Sequence, residues 1–115
     1  MNPAAKHAFK QRVRHWATTL DVPIAWLAIR PMRHKWASCS ASGHLHFNTD
    51  LLGLDPELWD YVIVHELLHL HVPNHGRLWK VLMRAHLGDW EASAERLRHL
   101  SPRTTQHAPT PSSPY

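Results

Sequence analysis

The residues with the clearest chemistry stand in one run, His65-Glu66-Leu67-Leu68-His69, followed six positions later by His75. On a helix, four residues advance about 400° and 6 Å, so His65 and His69 share a face and their imidazoles can converge on one ion. Glu66 projects from the adjoining face. Two neutral imidazoles and a neighbouring carboxylate in this order suit a zinc ion held by the histidines, with the carboxylate taking a proton from a zinc-activated water. The chemistry is metal-assisted hydrolysis.

Composition tempers the motif, because the 115-residue chain holds 12 histidines and a bare match is easier to reach by chance. A third ligand at a workable place raises it. On an uninterrupted helix His75 would lie about 9 Å beyond His69 and point away, but Pro73 and Asn74 break the helix first. The chain can then turn back and present His75 as the third nitrogen, leaving a fourth position open, as catalytic zinc requires. His71 points about 200° round from His69 and is read as a solvent or interface residue. Two plainer readings remain: histidines hydrogen-bonded within a core, and a structural zinc site. The second usually closes all four positions with cysteines, and Cys39 is the only one.

The elements that must position these groups follow from periodicity and punctuation. Ala5, Phe9, Val13, Trp16 and Leu20 recur three or four apart, predicting an amphipathic helix from Pro3 to Leu20 with a basic, solvated outer face. Residues 24–30 read as a strand. Residues 35–39 and 44–48 flank Ser40-Ala41-Ser42-Gly43, a hairpin in which Gly43 supplies a positive φ. Leu45 and Phe47 alternate with His44, His46 and Asn48, giving one apolar and one polar face. Asp55 and Pro56 start a helix expected to run to about Val72, with Asp55 capping it and Pro73 stopping it. Val62, Ile63, Val64, Leu67, Leu68 and Leu70 make that helix apolar nearly all round, so it belongs at the centre of the core. Asn74 is placed to cap a helix through about Leu87 that ends at Gly88, and Asp89 to cap another over residues 90–100. The fold class is α+β. Residues 101–115, rich in Pro, Ser and Thr, are read as a disordered tail.

Composition excludes several functions. With 43% hydrophobic and 19% charged residues the chain is one small globular domain. No apolar run approaches the ~20 residues that span a bilayer, and a single cysteine fits a reducing compartment. A soluble, cytoplasmic monomer without a membrane partner is expected. The formal charge of +4 is uneven. Residues 1–36 carry seven Lys and Arg against Asp21, whereas residues 44–75 hold five acids and no Lys or Arg, a segment that would attract cations. Trp36, Trp59 and Trp79 are read as core packing and Cys39 as a small buried thiol.

Lys35-Trp36-Ala37-Ser38-Cys39-Ser40, then Asn48 and Leu51, Asp60 through Leu70, Asn74-His75 and Leu78-Trp79, together closely resemble the YgjP-like zinc metallopeptidase family, related to SprT-like domains. The resemblance spans about residues 4–100 in order. It departs from the family at Ala37, Gly76 and Leu78, where Gly, Ser and Phe are usual. It implies a small zincin-like domain over residues 1–100: an N-terminal helix, a short, mainly antiparallel sheet, the central HExxH helix and two further helices. It implies one zinc on His65, His69 and His75, Glu66 as general base, and a protein or peptide substrate. Candidate oxyanion donors are Tyr61, Asn48, His44 and His46, none preferred. If the strand over residues 44–48 forms the sheet edge above the zinc helix, an extended substrate could pair with it.

Two competing readings belong to other classes. One is a zinc-dependent endoribonuclease-like hydrolase, since single-domain enzymes of the YbeY kind also use three histidines; Glu66 stands where that pattern has Gly. The other is a binding module, with the basic N-terminal helix and strand docking on DNA or RNA.

Overall fold

The computed structural model describes residues 3–72 and 74–101. Its elements run α1 (Pro3–Leu20), β1 (Trp26–Arg30), β2 (Ala37–Cys39), β3 (His44–Asn48), a 3-10 turn (Thr49–Gly53), α2 (Pro56–Leu68), α3 (Arg77–Leu87) and α4 (Trp90–Arg98). Pro73 and the tail beyond Ser101 lie outside the described residues. No helix among the described residues is long and apolar enough to cross a membrane.

The sheet is mixed, in the order β1-β3-β2. The hairpin pairs β2 and β3 antiparallel, Ala37 opposite Phe47 and Cys39 opposite Leu45, with Gly43 at φ 88° in its turn. β1 joins the far side of β3 in parallel, from Trp26 opposite His44 to Arg30 opposite Asn48. The longer ladder is thus parallel rather than antiparallel. The six residues between β1 and β2 carry the chain over β3, a crossing invisible in strand patterns. It also makes β3 the central strand, so the substrate pairing envisaged at residues 44–48 is blocked on both sides.

Asn48 holds that crossing together. Fully buried, its amide donates to the Met32 and Lys35 carbonyls at 3.0 Å each, and its Oδ1 accepts from the Asp50 N–H at 2.9 Å. Its own N–H reaches the Trp36 carbonyl at 2.8 Å. The turn's positive φ falls on His34, at 66°, which leaves Ala37 free to be an ordinary buried strand residue in place of the family's Gly.

Leu45 and Phe47 face inward onto the helices. Phe9 of α1 sits edge-on between Phe47 and Trp59 at centroid distances of 5.1 and 5.2 Å, tying sheet, α1 and α2 into one core. Charged groups lock the helices from outside. Arg12 grips Asp60 with both arms of its guanidinium, at 2.6 and 2.7 Å, and the Trp16 indole donates to the same carboxylate. Arg96 of α4 reaches Asp55 at 2.7 Å and Glu57 at 3.3 Å. Three of the segment's five acids, Asp55, Glu57 and Asp60, thus bind the chain's own arginines, and Arg12 is docked rather than solvated.

Helix ends differ from expectation in detail. Asp55 makes no side-chain cap bond, its carboxylate being taken by Arg96. Asn74 accepts from the Gly76 N–H in a local turn, which moves the start of α3 to Arg77. Asp89 does cap α4, through the Ala92 N–H.

Asn48→Ala is expected to destabilise the domain by about 3 kcal/mol, because it strands two carbonyls and an N–H inside the fold. Chemical denaturation checks this; a loss below about 1 kcal/mol would mean water replaces the amide.

Candidate metal centre

Ten of the thirteen residues of α2 are buried, among them His65 and Glu66. Such a helix can hold polar side chains only if they find partners. Past Glu66 the helix tightens: the N–H groups of His69, Leu70 and His71 each bond three residues back, to Glu66, Leu67 and Leu68, at 3.0–3.1 Å. α2 therefore ends at Leu68, four residues short of expectation, although the turn continues to Val72. This change of pitch turns the chain back toward His65.

The three histidines converge. His75 Nε2 lies 3.0 Å from His65 Nε2 and 2.9 Å from His69 Nε2, and the candidate ligand atoms of all three fall within 4.8 Å of one another. Three nitrogens held 2.0–2.1 Å from a common tetrahedral ion stand about 3.3 Å apart, and the two contacts that His75 makes lie within a few tenths of an ångström of that spacing. Burial favours the neutral, lone-pair-bearing ring: the His65 pKa is pushed down to about 2, first by desolvation and then by His69 and His75. That of His75 is lowered by burial and by Lys80. Metal ligation requires these neutral forms.

Glu66 is 5% exposed beside this cluster. Burial lifts its carboxyl pKa to about 7 against the pull of the Cys39 thiol and Lys35. Cys39 lies against α2 with Sγ 3.6 Å from the Glu66 carbonyl, and its own pKa rises to about 12 through burial and the adjacent carboxyl. Desolvation leaves this thiol protonated and unreactive.

Two neighbours were not legible as such from the motif. Trp79, buried in α3, places its ring 4.4 Å from His75, 5.1 Å from His65 and 6.4 Å from His69, walling the cluster with a single side chain. Its spacing one turn after His75 was the available signal. Cys39 carried none, since only the hairpin register brings it to Glu66. Of the four candidate oxyanion donors, Tyr61 packs edge-on against His65 at 5.6 Å, its pKa raised to about 12 mainly by burial. Asn48 serves the crossover. His44 and His46 lie on the opposite face of the sheet from Leu45 and Phe47, away from the cluster.

A three-layer sequence of sheet, buried HExxH helix and a returning histidine defines a small α+β zincin-like domain. Residues 1–100 match the YgjP-like metallopeptidase domain, and the chain belongs to that family. It is accordingly a peptidase. Among solved structures it is similar to the metallopeptidase zymogen of Methanocaldococcus jannaschii jannalysin, at 28% identity and a TM-score of 0.67, covering 78% of this chain and 91% of that one. The metallopeptidase zymogen of Pyrococcus abyssi abylysin shares the fold at a TM-score of 0.66 and 22% identity, over 77% of this chain and 90% of that one. No curated protein sequence matches the chain.

The buried pair gives the metal-free protein a defined pH response. His65 is depressed from 6.5, so below pH 6.5 the unfolded chain takes up a proton that the native state refuses, and stability falls. Glu66 is raised from 4.5, so the native state takes up a proton first as pH falls from about 7, and stability rises. The histidine losses, to which His75 adds, and the Glu66 gain oppose each other between pH 6.5 and 4.5, and only the histidine losses remain below. In Glu66→Gln the loss should begin at pH 6.5, at about 1.4 kcal/mol per pH unit. Urea unfolding of both metal-free proteins tests it; parallel profiles would refute the raised carboxyl.

Proposed function

We propose that the protein hydrolyses peptide bonds with one zinc ion on His65, His69 and His75 and with Glu66 as general base. The observation that supports this most is the convergence of the His65, His69 and His75 side chains beside a buried carboxyl, with His75 Nε2 about one ligand spacing from the other two. When bound, zinc supplies a Lewis acid that polarises the scissile carbonyl and acidifies the attacking water.

The chain's own groups do the rest. A carboxyl whose pKa is lifted toward 7 by burial suits a group that must both take a proton and return it to the leaving amine near neutral pH. Trp79 packs against all three rings and Tyr61 against His65, which fixes the ring orientations while His75 stays exposed. The strand available for substrate pairing is β2, the sheet edge packed on α2, rather than β3. Because Trp36 and Ser40 direct their bonds to β3, the alternating pattern turns the backbone groups of Ala37 and Cys39 outward. These can hold an extended peptide across Glu66. A monomer acting in the cytoplasm agrees with the protonated, unbridged thiol of Cys39.

Glu66→Gln should retain about one zinc per chain and lose roughly 10²- to 10⁴-fold in kcat, the usual contribution of a positioned general base. His75→Ala should lose the metal with its far-ultraviolet dichroism retained. Elemental mass spectrometry and peptide hydrolysis check both, and a fully active Gln variant would remove Glu66 from the mechanism.

A further inference from the structure

The sheet has a second face, away from the helices. Register aligns Trp26 with His44, Ala28 with both His46 and its neighbour Ser38, and Arg30 with Asn48. Trp26 is 49% exposed, an unusual position for the largest apolar side chain. Its ring is held edge-on by His46 at 5.0 Å and His44 at 6.1 Å. Arg30 Nε donates to His46 Nδ1 at 3.1 Å, orienting the guanidinium along the same face. The Asn48 clamp fixes the Lys35 backbone at the end of this face, and the lysine's charge acts on both His46 and Glu66. From residue 22 to residue 49 the chain has no Asp or Glu, while Arg30, Arg33 and Lys35 all fall there.

A core does not need this arrangement, and neither does the peptidase site, which opens on the other side of β3. It joins an open aromatic plane to a row of cations along about 13 Å of strand. Single-stranded nucleic acid has the complementary chemistry: flat bases to stack and regularly spaced phosphates. Duplex hides its base faces and would gain only the charge contacts. The basic side chains of α1 lie in the helical layer, with Arg12 committed to Asp60, so the two basic regions that adjoin in sequence are separated in space.

We propose that the outer face of the β1-β3-β2 sheet binds single-stranded nucleic acid, Trp26 stacking on a base and Arg30 and Lys35 meeting phosphates, with His44 and His46 completing the platform. The proposal is independent of the hydrolytic mechanism.

The test is fluorescence anisotropy of a labelled oligothymidylate of about 10 nucleotides against the full, zinc-loaded chain. Binding should weaken with salt at a log-log slope of about −1.4, as for two cations on a single strand. Trp26→Ala should weaken it about tenfold and Trp26→Phe should restore most of that loss. Arg30→Ala, at an exposed site, should flatten the salt slope by about 0.7 and serves if the Trp26 variant does not fold. Peptide hydrolysis should be unchanged in all three. No binding at about 50 mM salt, equal affinity for the duplex of the same sequence, or wild-type affinity in Trp26→Ala and Arg30→Ala would overturn the proposal. Loss of binding confined to Lys6→Glu and Lys10→Glu would place it on α1 and overturn it equally.

Discussion

Everything in this domain is arranged around the burial of His65 and Glu66 in a helix that is otherwise apolar on all sides. Desolvation costs both groups their charge, holding one ring neutral and one carboxyl protonated to unusually high pH. That cost recurs wherever the sequence places ionisable groups in a core, and it is tolerated only where the groups acquire partners. The converging Nε2 atoms and the neighbouring thiol are those partners. The sheet above, α1 beneath and Trp79 at the side keep water from supplying others.

The helices do not hold α2 by hydrophobic contact alone. Arg12 and Trp16 fix its middle through Asp60, and Arg96 fixes its start through Asp55 and Glu57. A bidentate arginine sets orientation as well as distance, which matters when a helix must present one face to within a few tenths of an ångström. The acidic stretch that reads as a cation attractant in sequence is, in three dimensions, a set of sockets for arginines far along the chain.

Periodicity located the four helices and three strands to within a few residues but not the 3-10 turn over Thr49–Gly53, and the HExxH spacing with a helix break before His75 located the cluster, because these are local properties of the backbone. What depended on long-range pairing stayed hidden. The parallel addition of β1 to β3 follows from how the six linking residues cross the sheet, held by Asn48, and not from any strand pattern. Cys39 meets Glu66 only through hairpin register, and Asp55 fails as a cap because Arg96, 41 residues away, competes for its carboxylate. Helix caps are a matter of competition between partners, and sequence shows one competitor at a time.

The three histidines of the cluster all come from one short stretch, His65 and His75 being ten residues apart. Closing so short a loop removes little conformational freedom from the unfolded chain. An ion bridging this stretch would therefore brace a hinge rather than staple distant parts of the domain, whose core of Phe9, Phe47 and Trp59 lies in other elements. Metal supply would then bear on how many copies are competent more than on how many are folded.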